Sequence, residues 1–164
     1  MFLTKKSKLS KQKGFTLLEI LLVVAAIAIL AGIVIVALNP GKQLGDTRNS
    51  QRSLDVNTII NAVYQYSIDN NGNFPSGIDG VVGSAQVLGT AGSGLDSTCT
   101  ATTTLPAGID MSADLVPTYI VGIVIDPAAG TDANTDYYIN KLSSGRITVG
   151  ACDPEQGVVI EVTR

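Results

Sequence analysis

The chain has 164 residues, lacks histidine and tryptophan, and contains only two cysteines. This composition excludes zinc sites built on histidine or on several cysteines, and it excludes histidine-based acid–base catalysis. Five lysines and no acidic residue precede residue 14, whereas residues 15–164 carry 6 basic and 14 acidic residues, a net charge of −8. Because nucleic-acid binding requires a basic surface, no nucleic-acid partner is expected.

The first predicted element is an apolar helix over residues 15–38, which follows the lysine-rich leader. Residues 20–38 contain no charged side chain. A helix over 15–38 would be about 36 Å long, enough to cross a hydrocarbon layer of about 30 Å. Lysines before an apolar run keep that end in the cytoplasm. We therefore expect a single-pass protein of the cytoplasmic (inner) membrane, with a cytoplasmic N-terminus and an exported C-terminal part.

Glu19 is the anomaly in this helix, because a carboxylate inside an apolar span requires a partner. A cleaved secretory signal would have a shorter apolar region, of about 7–15 residues, followed by a polar mature start. Here Ala31 and Gly32 are followed by more aliphatic residues. A plain membrane anchor would explain the length of the run and its topology, but it would leave Glu19 unexplained.

The segment KGFTLLEI, residues 13–20, resembles the prepilin signature of type IV pilins and type II secretion pseudopilins. The resemblance implies cleavage after Gly14 by a prepilin peptidase, which also acts as methyltransferase on the new N-terminal Phe15. It also implies that Glu19 pairs with the N-terminal amine of a neighbouring subunit during assembly. Many members of the family have a proline where this chain has Val36, so the resemblance does not fix the position of a helix break.

The function implied by the resemblance is a structural subunit of a pilus-like or pseudopilus filament, polymerised through its N-terminal helix. Its partners would be the membrane, the processing peptidase, like subunits and other components of the pilus or secretion machinery, and it would end in a cell-surface or periplasmic filament. The alternative is a membrane-tethered exported binding module that does not polymerise. No nucleophile with a base partner and no phosphate-binding glycine loop is found in the sequence, so an enzyme is not expected.

Residues 39–75 are predicted to continue the helix as an amphipathic segment. Five residues follow the i, i+3, i+4, i+7, i+11 spacing of one helix face. Pro40 is predicted to interrupt the path, and Asn71 with Gly72 to end the helix. The residues of the predicted buried face are Val56, Ile59, Ile60, Val63 and Ser67.

Residues 76–164 are predicted to form the exported head domain. Its first part, 76–108, has 17 Gly, Ser or Thr among 33 residues and is interpreted as an ordered loop. A short helix capped by Asp110 and then an extended segment up to Pro127 should follow. Strands are expected over 136–142, 146–151 and 157–163. Residues 1–14 form the predicted leader. The predicted fold class is α+β, pilin-like, with a small antiparallel sheet packed on a long helical spine.

Cys99 and Cys152 both lie in the exported part, where a disulfide persists. A bond between them would close a loop of about 54 residues and stabilise the fold by about 4 kcal/mol in the chain-entropy model. Two free buried thiols are the alternative. Acidic residues in two nearby turns suggest either a calcium site or ordinary solvated turns, and we expect no bound cofactor or metal. These acidic residues are Asp126, Asp132, Asp136, Asp153 and Glu155.

Overall fold

The computed structural model describes residues 14–78, 84–90, 99–104 and 108–164. The predicted leader, apart from Gly14, lies outside the described residues, as do three stretches of the loop over 76–108. The chain divides into two compact units, Met1–Pro40 and Gly41–Arg164. Each unit is described by itself.

The first unit contains helix α1, Leu17–Leu38, none of whose residues is buried. Thr16 is its N-cap residue, and Asn39 ends it in a left-handed conformation with φ of 41°. Asparagine tolerates this conformation better than most residues, and it is a common way to end a helix. By length and composition α1 can cross a membrane, as the sequence predicted.

Helix α2, Pro40–Asp69, provides the spine of the second unit. Proline suits the first position of a helix, where its missing N–H has no intrahelical partner. The helix ends as predicted: Asn71 and Gly72 have positive φ, and the Gly72 N–H donates to the Ser67 carbonyl at 2.8 Å. All five residues of the predicted face are buried.

The sheet has four antiparallel strands in the order β1-β2-β3-β4. Three had been predicted, and the fourth is a short strand from the glycine-rich loop. The last strand is also shorter than predicted, because a 3-10 turn over Glu155–Gly157 precedes it and Val158 is exposed. The strands are β1, Gln86–Val87; β2, Tyr137–Lys141; β3, Ile147–Ala151; and β4, Glu161–Thr163.

The short helix α3, Ser112–Leu115, lies where a helix was predicted, but its cap differs in detail. Met111 occupies the N-cap position and makes no side-chain capping bond. Asp110 lies one residue earlier, and its Oδ1 accepts hydrogen bonds from the Ser112 N–H and hydroxyl. It therefore fastens the first turn from outside the helix.

The core lies between the buried face of α2 and one face of the sheet, to which alternating strand residues point. Tyr137 and Ile139 of β2 and the odd-numbered residues of β3 are all buried there. A smaller cluster covers the opposite sheet face, with Val87, Tyr138 and Cys152 among its buried members. The predicted fold class, a pilin-like α+β fold with a long helical spine, is confirmed.

Candidate processing and assembly site

The predicted processing residues lie at the start of α1. Gly14 and Phe15 are exposed and precede the helix. A Cβ added at Gly14 would meet no atom of the described part of the chain within 4 Å. The backbone on either side of the Gly14–Phe15 bond is therefore accessible, as a protease substrate requires.

Glu19 lies in the first turn of α1, and its N–H donates to the Thr16 hydroxyl oxygen at 3.2 Å. A carboxylate in the first turn interacts favourably with the positive end of the helix dipole. This position reduces the penalty of holding a charge near an apolar segment. It leaves the side chain exposed and able to meet a group on another molecule.

The capping role of Thr16 is a feature that the sequence interpretation missed. The spacing Thr16–Leu17–Leu18–Glu19 fits the capping-box pattern, in which a Ser or Thr precedes a Glu by three residues. This signal is visible in the sequence and predicts the helix start to within one residue. The helix therefore begins only two residues after the expected cleavage point, with Glu19 in its first turn.

The rest of α1 presents apolar side chains around its whole circumference, and all of them are exposed in the single chain. Soluble monomeric proteins rarely expose so large a contiguous apolar surface to water. A helix that is apolar all round is buried either in lipid or among other apolar helices. The geometry of α1 therefore suits both membrane insertion and packing against like helices.

Cys99 and Cys152 form a disulfide in the second unit, with Cα atoms 4.5 Å apart and a sequence separation of 53. Hydrogen bonds reinforce it: the Ala101 N–H donates to the Cys152 carbonyl, and the Thr100 N–H to the Asp153 carboxylate. The bond fastens one described segment of the loop, 99–104, to the end of β3.

We expect non-reducing tryptic digestion of the protein to release residues 53–141 linked to residues 147–164, since Arg52, Lys141 and Arg146 bound these peptides. Replacing either cysteine by serine should lower the free energy of unfolding by about 2–4 kcal/mol. The check is mass spectrometry with and without reductant. Quantitative alkylation of both cysteines in the unfolded, unreduced chain would contradict the assignment.

Two of the acidic residues weighed as calcium ligands are paired with arginines of α2. Asp126 forms a two-pronged ion pair with Arg52, in which Arg52 Nη2 donates to Asp126 Oδ1 at 3.0 Å. Arg52 is 1% exposed and Asp126 4% exposed. Glu155 similarly accepts from Nε and Nη2 of Arg48, in a pair that is only partly buried. The hydrogen bond from Arg48 holds the pKa of Glu155 below its usual range.

The turn that carries Glu155 is fastened to α2 at several points. Its backbone N–H and carbonyl both bond the Asn49 side chain. Gln156 donates to the Lys42 carbonyl at 2.9 Å. Gly45 is buried beneath the turn, and a Cβ there would lie 2.7 Å from a Glu155 oxygen, so the absence of a side chain allows the close approach. These contacts attach the turn before β4 to helix α2.

This arginine network was not predicted, although the sequence contains a signal for it. Arg52 lies four residues before Val56 and thus on the predicted buried face of α2. An arginine on an apolar face requires a buried anionic partner, because an unpaired charge is very costly there. The partner, Asp126, is 74 positions away, and spacing alone does not reveal it.

No group of three or more His, Cys, Asp or Glu side chains that could hold a metal is found among the described residues. Four tyrosines lie in or beside the two hydrophobic clusters: Tyr64, Tyr66, Tyr137 and Tyr138. Burial and a hydrogen bond to Asp55 raise the pKa of Tyr137 well above its ordinary value. Burial and a bond to Glu161 likewise raise the pKa of Tyr138. Both hydroxyls are donors in structural hydrogen bonds.

An exposed apolar N-terminal helix, together with a separate α+β unit built on a second helix, defines a pilin-like architecture. Residues 9–35 match the family model described as the prokaryotic N-terminal methylation motif, which is the signature of type IV pilins and pseudopilins. The match supports a type IV pilin-like or pseudopilin precursor. Comparisons with curated proteins and with solved structures gave no significant match.

Proposed function

We propose that the protein is a structural subunit of a type IV pilus-like or type II secretion pseudopilus filament. A prepilin peptidase would cleave it after Gly14 and methylate the amine of Phe15. The subunit would then polymerise through α1. The observation that carries this proposal is the methylation motif over residues 9–35, which includes most of α1, a helix whose apolar side chains are all exposed.

The position of Glu19 supports the assembly step. Cleavage creates a positively charged amine at Phe15, near the same membrane depth as the carboxylate. In an apolar setting these two charges are costly apart and favourable together. A carboxylate of one subunit that meets the amine of the next would neutralise both and would set the register between subunits.

The lysine-rich leader supports an orientation with the N-terminus in the cytoplasm and residues 41–164 exported. The partners would be the membrane, the processing enzyme, like subunits and the other components of a pilus or secretion apparatus. The protein would be a substrate of processing enzymes, would not itself be an enzyme, and its structural role would require no cofactor.

The second candidate is a membrane-tethered binding module that never polymerises. It is favoured by the division of the chain into two units, because the second unit has its own core. In that case the leader would remain attached and Glu19 would have no partner on another subunit.

Gly14→Leu tests the processing step. We expect wild-type protein from competent cells to begin at Phe15 with one added methyl group, and the variant to keep residues 1–14. Because Gly14 is exposed and a Cβ added there meets no atom of the described residues within 4 Å, a block would reflect the peptidase and not misfolding. The measurement is intact mass and N-terminal peptide mass.

Gly32→Leu is the matched control, since Gly32 is the other glycine of this segment and is equally unobstructed. Its processing should be normal. Wild-type protein that retains the leader, or Gly14→Leu protein cleaved as well as Gly32→Leu protein, would contradict the proposal and favour the tethered module.

A further inference from the structure

A cavity of about 380 Å³ lies in the second unit, between the end of β1, the start of α3 and the segment over 116–125. Its volume falls in the range of about 300–1,000 Å³ that is typical of small-molecule sites. The walls are mainly apolar. The buried apolar residues that line it are Leu88, Ile109 and Met111, and Val116 and Ile123 are partly buried.

The hydroxyl groups that line this cavity are not available to donate hydrogen bonds to a ligand. Each of the three lining hydroxyls donates to an acceptor of the protein itself. The bonds are Thr90 Oγ1 to the Asp132 carbonyl at 3.2 Å, Ser112 Oγ to Asp110 Oδ1 at 2.6 Å, and Thr135 Oγ1 to the Leu88 carbonyl at 2.8 Å.

Asp110 and Asp132 are the acidic residues among those that line the cavity. The hydrogen bonds from Ser112 hold the pKa of Asp110 below its usual range, so this group is anionic at neutral pH. The Asp132 side chain is exposed, and among the described residues no group donates a hydrogen bond to its carboxylate. The described lining contains no lysine or arginine. The cavity therefore presents apolar walls, negative charge and free acceptors.

A ligand complementary to these walls must provide an apolar body, a positive charge and hydrogen-bond donors. A neutral apolar ligand would leave the carboxylate acceptors unused, and an anion would meet like charge. We propose that the cavity binds a small organic ammonium ion, with its apolar body against Leu88, Ile109 and Met111 and its ammonium group at Asp132. This inference does not depend on the filament role.

Met111 provides a direct probe, because the chain has only one other methionine, Met1. Full-length protein labelled with ¹³C at the methionine methyl groups, in a non-ionic detergent, should give two resolvable signals. Titration with phenethylammonium should shift the Met111 signal saturably and leave Met1 unchanged. Titration with 3-phenylpropanoate, which has the same apolar body but an anionic head, should produce no saturable shift.

Asp132→Asn should weaken the apparent affinity for phenethylammonium by about fivefold, the effect expected for one partly exposed charge pair. Asp46→Asn removes the same charge from an exposed position on α2 and should leave the affinity unchanged. An unshifted Met111 signal would overturn the inference, as would equal shifts with both probes. Equal affinities of the two variants would likewise overturn the assignment of the ammonium group to Asp132.

Discussion

If the subunit has the proposed filament role, replacing Glu19 by alanine is expected to reduce the yield of sheared filaments by more than tenfold while leaving the second unit folded. Glu19 lies four residues after Phe15, in the first turn of α1, so in the proposed filament it can meet the amine of a neighbour shifted along the filament axis. Removing one partner of a buried pair costs about 3–5 kcal/mol, which water access at the membrane edge reduces. Each 1.4 kcal/mol is a factor of ten in an equilibrium constant.

The experiment compares filament yield with the monomer retained in the membrane, after confirming that the leader has been removed. Glu19→Gln serves as the matched variant, because it keeps the size and hydrogen-bonding capacity of the side chain but not its charge. It should fail like alanine if the charge pair drives assembly. An ordinary membrane anchor predicts the opposite result, since the more apolar alanine chain would insert as well as wild type. Normal filament yield from either variant refutes the pairing role.

The Arg52→Met change is expected to lower the free energy of unfolding of the second unit by about 3–5 kcal/mol. Both side chains of the Arg52–Asp126 pair are almost completely buried, at 2% and 0% exposure. Methionine would fill much of the volume of arginine but would leave the Asp126 carboxylate buried without its cation. For a domain of this size that loss is a large part of the total stability.

The matched control is Arg48→Met, which makes the same change one turn earlier on α2. The Arg48–Glu155 pair is partly open to solvent, so its loss should cost no more than about 1 kcal/mol. Chemical unfolding of the full chain in detergent can be followed by near-ultraviolet circular dichroism, because all five tyrosines lie in the second unit. Equal losses of unfolding free energy in the two variants would show that the buried Arg52–Asp126 pair stabilises the fold no more than the partly exposed Arg48–Glu155 pair.

The helices were the most predictable part of the fold because each has a strong local signal. An uncharged apolar run defined α1, and the spacing of Val56, Ile59 and Ile60 defined the buried face of α2. The signal that ends α2, Asn71–Gly72, also lies within a short stretch of sequence. The strands β2 and β3 were predicted to within one residue at each end, since their alternation and the intervening turn lie close together in sequence.

The parts that could not be predicted depend on contacts between distant residues. Strand β1 has only two residues and exists because it pairs with β2, more than 50 positions later. The burial of Asp126 requires Arg52, and the position of the Glu155 turn requires Asn49 and Gly45. Sequence spacing carries no information about such pairings. The acidic turns were therefore weighed as solvated loops or metal ligands, when two of their members serve as counter-ions to helix α2.

The disulfide also has a mechanical consequence if the subunit works in a filament under load. A force that enters through α2 and leaves near the end of the chain cannot extend the loop between Cys99 and Cys152, because the covalent bond bypasses it. The chain from Cys99 to Cys152, with a sequence separation of 53, would contribute about 180 Å of contour length at roughly 3.4 Å per residue. The oxidised subunit is therefore much less extensible than its reduced form, and residues 99–152 remain shielded from tension.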